Sequence, residues 1–214
     1  MYIDAAADNI RVSRPWARPT ADLVNGLAAY PTALIGDVRR RMGLMSSEIR
    51  CLTPGLRLAG SILPIQIWEG DNLAIHRGLD EAQPGDVLVV AGNSVTGRSV
   101  FGGILAEICL AHGVKGVIVD GAVRDLEETA RLGLPVFARA VSPAGPSKNG
   151  PGTVGAPVAC GNMVCNPGDA VIGDDDGIIV VPADEVEETL ALLPAQQQAE
   201  TAILNRLAAE RKQS

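Results

Sequence analysis

The sequence predicts an α/β domain, and three observations carry that expectation. Between residues 86 and 141, apolar β-branched runs alternate with helical segments in strand–helix–strand–helix–strand order, which implies parallel pairing through right-handed crossovers. Apolar residues make up 47% of the 214 and charged residues 20%, enough for a full core and unlike a disordered chain. Aromatics contribute only 3%, so the core must be built from Val, Ile, Leu and Ala, with 24 glycines and 14 prolines marking tight turns between short elements.

In chain order, ADLVNGLAAYP reads as a helix with Leu23 and Leu27 on one face. A second helix follows in PTALIGDVRRRMG, with Thr32 as N-cap and arginines in its last turn, where the helix dipole favours them. RLAGSILPIQIW (57–68) reads as a strand, with Pro64 arguing for an edge or a bend. DNLAIHRGLDEA is a helix and QPGD a turn. DVLVVAG (86–92), VKGVIVDG and PVFARAV are buried strands; GGILAEICLAHG (102–113) and Asp125 to Leu132 are the helices between them, closed by Gly113 and Gly133. Residues 142–157, SPAGPSKNGPGTVGAP, show no periodicity and read as a functional lid. Short antiparallel strands follow, with turns at NPGD and DDDG. The end is helical with a break at Pro194, and Ile203, Leu204 and Leu207 form an apolar stripe that must pack on its own core or a neighbouring subunit. We read one domain over 1–214, with a core at about 31–182 and a C-terminal helical arm at about 183–214.

A net charge of -7 argues against a nucleic-acid ligand and against docking on anionic membranes. No stretch approaches the ~18 apolar residues of a membrane span, and the start lacks the apolar centre of a signal peptide, so the expectation is a cytoplasmic protein. Cys51, Cys109, Cys160 and Cys165 read as buried thiols; the one close pair has neither a zinc spacing nor a neighbouring histidine. His76 and His112 read as structural. Gly92 to Ser99 follows a buried strand and nearly fits a P-loop, with Asp120 mimicking the magnesium-holding aspartate, but Arg98 stands where that loop needs lysine. The acidic run 174–176 lacks the alternating spacing of a calcium loop.

Two constellations remain. Gly102-Gly103-Ile104-Leu105 opens a helix on backbone amides unobstructed by side chains, either a small-anion site or a tight turn that binds only water. Arg124-Asp125 follows a buried strand at its carboxyl end, where open parallel sheets bind ligands. There, Asp125 would supply oxygen to a hard divalent cation and Arg124 would stabilise oxyanion charge; alternatively Asp125 is a helix N-cap beside a surface arginine.

The segments PTALIGDVRRRMG, IRCLTPGLRLAG, EGDNLAIHRGLDEAQPGDVLVVAG, FGGILAE, GVKGVIVDGAVRD, GLPVFARAVSP and GDAVIGDDDGIIVVP resemble, in order and spacing, the RraA-like family. That family includes regulators of ribonuclease activity and class II aldolases that cleave 4-hydroxy-4-methyl-2-oxoglutarate and 4-carboxy-4-hydroxy-2-oxoadipate. The resemblance implies a swivelling β/β/α domain with N-terminal helices and a C-terminal helical arm, assembled as a homotrimer or hexamer. It implies magnesium, manganese or another divalent metal on Asp125, largely through water. Arg124 would lie against the 2-oxo group, and the amides of Gly102, Gly103, Ile104 and Leu105 would hold a carboxylate. Lys148 would lie near the distal carboxylate of a small anionic 2-oxo acid, and Glu200 would match a glutamate donated by the adjacent subunit. Oxaloacetate decarboxylation is the implied side activity. The chain departs from the aldolases at Gly103, where they carry an acid that orders the water around the metal. The other reading is a non-catalytic regulator that binds an RNA-processing enzyme through an acidic surface.

Overall fold

The computed structural model of the protein describes residues 8–13 and 16–211. Strand β1 (Ile10–Val12) leads to helices α1 (Ala21–Ala28) and α2 (Thr32–Val38). Next come β2 (Arg50–Cys51), β3 (Leu58–Ile67), α3 (Leu73–Leu79), β4 (Asp86–Phe101), α4 (Gly103–Ala111), β5 (Gly116–Val123), α5 (Leu126–Leu132) and β6 (Val136–Val141). The short strands β7 (Gly152–Val154), β8 (Val158–Cys160) and β9 (Met163–Cys165) precede the hairpin β10 (Ala170–Asp174) and β11 (Gly177–Val181), and α6 (Val186–Arg211) follows.

The main sheet runs β1-β7-β3-β4-β5-β6-β2, with β10 also paired to β3 and β11 to β10. The β3–β4, β4–β5 and β5–β6 pairs are parallel, with α3, α4 and α5 as the crossovers. A parallel sheet is covered on both faces, and the period of two along each strand divides its residues between two cores. Leu63, Leu88, Val90, Val117 and Val119 pack with Leu73, Leu79 and Leu105 from the helices. Ile62, Val87, Val89 and Ile118 pack on the opposite side with Val158, Cys160, Val171 and Val180. A third cluster joins Leu27, Leu34 and Ile35 of α1 and α2 to the β10–β11 hairpin and to Val186 and Leu193 of α6.

Several expectations are corrected. Thr32 is not the cap but the first residue of α2; its backbone amide and hydroxyl both donate to Asp174, at 2.9 and 2.6 Å. The arginines do not form a last helical turn, because α2 stops at Val38 and the chain turns away at Arg40 and Arg41 with φ of 54° and 68°. Pro64 does not mark an edge strand, since β3 is paired on both sides. It lies inside β3, between the stretch paired with β10 (Leu58 to Ser61) and the stretch paired with β7 (Ile65 to Ile67), where a missing N–H costs no ladder bond on that side. The strand beginning at Asp86 runs on, bulged, to Phe101, so the P-loop-like segment is sheet, and Asp120 is taken by the Arg139 guanidinium, Ser94 Oγ and the Gly161 amide. The stretch 142–157 contains β7. Pro194 does not break α6, since it lies on the exposed side, where solvent can take the carbonyl that loses its partner. The four cysteines are free thiols. Among the described residues no helix is long and apolar enough to cross a membrane.

Candidate active site

The carboxyl ends of β4 and β5 lie side by side, with Phe101 opposite Val123. Each strand turns directly into a helix, β4 into α4 through Gly102 and β5 into α5 through Arg124-Asp125. The topology therefore brings the two constellations together at one sheet edge, with the Arg124 amide donating to the Phe101 carbonyl at 2.9 Å.

Asp125 stands at the N-cap position of α5 in a left-handed conformation (φ 56°, ψ 39°) and makes no capping bond to that helix. Such backbone costs a non-glycine residue of order 1–3 kcal/mol and concentrates at functional sites. Here it aims the carboxylate at the other helix, where Oδ2 accepts from the Gly103 amide at 3.1 Å. Asp125 thus holds the N-cap position of α5 that the alternative gave it, but its side chain accepts from the first amide of α4 instead of from its own helix. Arg124 Nε lies 3.4 Å from the same carboxylate, and both side chains are about 40% exposed (40% and 41%), which leaves them reachable by a ligand.

The two glycines are explained by close approach. A Cβ on Gly102 would meet Asp125 Oδ2 at 2.5 Å and Arg124 Cγ at 3.0 Å. A Cβ on Gly103 would run into the Glu128 carboxylate, which occupies the space beside it. Glu128 was not singled out from the sequence. The available signal is its place three residues after Asp125 in the first turn of α5, a spacing that puts two side chains on one helical face.

A cavity of about 130 Å³ opens at this edge. Gly102, Ile104, Leu105, Arg124, Asp125 and Lys148 line it, together with Asn72, His76, Ser99 and Pro146 among others. Six of the expected site residues therefore line one cavity. Gly103 lies beside it with its amide engaged by Asp125, leaving the Ile104 and Leu105 amides as the other early donors of α4. Glu200 is not brought to this cavity; it is exposed on α6, where it accepts from Gln196 at 3.3 Å.

Lys148 is held by its neighbours. Asp71, 1% exposed, accepts from Ser147 Oγ at 2.8 Å and from the Asn149 amide at 2.6 Å, while its other oxygen caps Leu73 at 2.9 Å. Burial works against its ionisation, but the donors from Asn149, Leu73 and Ser147 outweigh it and keep its pKa below the ordinary value. The Ser147 backbone adds bonds to Gly70 and Asn72, and Ser99 ties down Ala144. The stretch expected to be a lid is thus anchored on both sides of Lys148.

Among the described residues no three His, Cys, Asp or Glu form a metal cluster. Asp125 and Glu128 crowd two consecutive glycines, and both are exposed residues that offer hard carboxylate oxygens. That donor set fits magnesium, which keeps most of its water and takes one or two carboxylates.

The RraA-like family profile, described as Aldolase/RraA, matches residues 20–180. A Halalkalibacterium halodurans protein provisionally named as a 4-hydroxy-4-methyl-2-oxoglutarate aldolase is 32% identical over 169 residues, covering 79% of this chain and 80% of its own. A Thermus thermophilus protein named 4-hydroxy-4-methyl-2-oxoglutarate aldolase is 33% identical over 126 residues, 59% of this chain and 76% of its own. Among solved structures, Streptomyces coelicolor RraAS2, described as an unusual member of the RNase ES inhibitor RraA protein family, superposes with a TM-score of 0.79 at 29% identity, covering 88% of this chain and 100% of its own.

Proposed function

The chain belongs to the RraA-like family, and from that premise we propose that it is a divalent-metal-dependent class II pyruvate aldolase acting on 4-hydroxy-2-oxo acids, such as 4-hydroxy-4-methyl-2-oxoglutarate or 4-carboxy-4-hydroxy-2-oxoadipate. The observation that carries the reading is the convergence of Arg124, Asp125, Lys148 and the first turn of α4 on one small cavity. The relatives named as aldolases support it.

In the proposed reaction the Ile104 and Leu105 amides, at the positive end of the α4 dipole, bind the carboxylate next to the 2-oxo group. Lys148 binds the distal carboxylate and orients the chain of the substrate. A water hydrogen-bonded to a carboxylate takes the C4 hydroxyl proton. The C4 oxygen becomes a carbonyl as the C3–C4 bond breaks, and that bond's electron pair passes to the 2-oxo oxygen as an enolate. Arg124 stabilises the charge that grows there, an interaction stronger in the transition state than in the ground state. Protonation at C3 then gives pyruvate. Asp125 and Glu128 would hold a magnesium or manganese ion largely through water, and the chemistry that ion would supply is Lewis acidity. Glu128 thereby provides the acid that Gly103 lacks. Loss of carbon dioxide from oxaloacetate leads to the same enolate, so it is the expected side activity. Glu200, on the exposed part of α6 beyond Pro194, would serve a neighbouring copy of a trimer or hexamer.

Pyruvate release from 4-hydroxy-4-methyl-2-oxoglutarate, followed with magnesium and with chelator, tests the proposal. Metal-dependent release that falls at least about a hundredfold in Arg124→Ala is expected from the loss of one oxyanion-stabilising group. Absence of metal-dependent release would leave the regulator reading, which the names of structural relatives suggest.

A further inference from the structure

Hydrogen bonds do little to orient Arg124. Among the described residues its guanidinium has one polar partner, the Asp125 carboxylate, 3.4 Å from Nε and long for a charged pair. The rest of the side chain runs between two glycines. A Cβ on Gly102 would lie 3.0 Å from Arg124 Cγ and 3.3 Å from Nε. A Cβ on Gly145 would lie 3.0 Å from Nη1 and 3.9 Å from Cζ, and beyond its chain neighbours it would meet nothing else within 4 Å. The two glycines belong to different segments, one just after β4 and one after β6.

Neither position is reserved for glycine by its backbone. Gly102 is extended at φ -169°, and Gly145 lies outside the left-handed region. What the missing side chains provide is space, and Arg124 fills it. At Gly102 that space is shared with Asp125 Oδ2, whereas at Gly145 it belongs to Arg124 alone.

The wall at Gly145 is itself held. Ser99, 1% exposed, donates its amide at 2.8 Å and its hydroxyl at 2.9 Å to the Ala144 carbonyl. The Ser142 amide donates to the Val123 carbonyl at 3.0 Å, one residue before Arg124. The stretch 142–145 is thus fastened to β4 and to the end of β5.

We propose that Gly102 and Gly145 form a slot that aims the Arg124 guanidinium, and that Ser99 is the positioning residue that keeps the Gly145 wall in place. The effect on rate rests on the aldolase reading. There, a guanidinium must meet charge growing on one oxygen, and a misplacement of about 1 Å costs up to about a hundredfold. Gly145 and Ser99 act through Arg124.

Deuterium exchange of the pyruvate methyl protons in the magnesium-supplemented protein, followed by NMR, tests the slot as a double-mutant cycle. Gly145→Val should slow exchange by about ten- to a hundredfold. Gly145→Ala should slow it less, as should Ser99→Ala, which keeps the backbone bond to Ala144. Pyruvate affinity by calorimetry should change by less than about threefold, since the aim matters most in the transition state. In an Arg124→Ala background the same substitutions should alter the rate by less than about twofold, because the group they act through is gone. Equal slowing in both backgrounds, as a purely structural role would give, overturns the proposal. So does a Gly145→Val protein that exchanges as the wild type does. A second readout needs no turnover: the Arg124 Nε–H resonance, identified by its loss in Arg124→Ala, should move in Gly145→Val, and an unmoved resonance overturns the slot. A wild type that exchanges no protons removes the aldolase reading and leaves the resonance to decide the slot.

Discussion

Glu128 and Gly103 trade a carboxylate for an empty space. The acid that the aldolases carry after the first glycine of this helix is absent, yet a carboxylate occupies the volume that a side chain at 103 would need. Glu128→Gln should therefore weaken magnesium binding by about 10–100-fold, the usual effect of removing a group that orients a metal's shell. Gly103→Ala should fold, because the atoms its methyl meets are the end of a flexible side chain, and should weaken the metal by pushing that end away. Combining Gly103→Asp with Glu128→Ala returns an acid to the position and should recover affinity relative to Glu128→Ala alone. Manganese titration of all four proteins checks this; a Glu128→Gln protein that binds as the wild type does removes Glu128 from the site. The exchange is invisible in the linear sequence, because it joins the first turns of two helices that only the parallel β4–β5 pairing brings together. Arg124 and Asp125 were legible, since a strand's carboxyl end is identifiable from one segment.

At the level of elements, the β3–α3 turn and the stretch after β6 act as one unit through Asp71. Its carboxylate binds residues on both sides of Lys148. Asp71→Asn loses acceptor charge where two backbone amides and a hydroxyl converge, and should raise KM for a dicarboxylate substrate about tenfold or more with a smaller change in kcat, as loss of a positioned binding group does. Steady-state kinetics decides; equal loss in kcat and kcat/KM would mean that the clamp shapes the reacting end instead. Acid should loosen the same clamp. The folded pKa of Asp71, like that of Asp120, is lowered from 3.8, so each contributes stability that is complete above the unfolded value and lost as pH falls through the folded one. Melting temperature should hold at neutral pH and drop below about pH 4, with a shallower drop in Asp71→Asn. The sequence showed long elements through their periodicity. It did not show β1, β2 or β7, since two or three residues carry no periodicity, and what makes them strands is a partner distant in the chain. Pro64 suggested an edge for the same reason: its tolerance inside the sheet comes from a change of partner along β3.

The whole molecule extends beyond its own core. The buried residues of α6 are Val186, Thr189 and Leu193, all before Pro194, whereas Ile203, Leu204 and Leu207 are 49%, 63% and 40% exposed. A chain ending at Leu193 should keep its melting temperature within a few degrees, because the removed turns bury little in their own subunit. Its mass by light scattering and its pyruvate release should fall if the arm carries Glu200 to a neighbour; unchanged mass and activity would make the arm dispensable. The net charge of -7 proves a poor guide at this scale, since Arg124, Lys148 and a helix dipole set the local field of a cavity that suits an anion. The central claim is that this cavity stabilises the enolate of pyruvate. Exchange of the pyruvate methyl protons for deuterium, followed by NMR, reads that step without requiring the full substrate. With magnesium the wild type should exchange them, chelator should stop it, and Arg124→Ala should be at least about a hundredfold slower; exchange no faster than in buffer alone would contradict the claim.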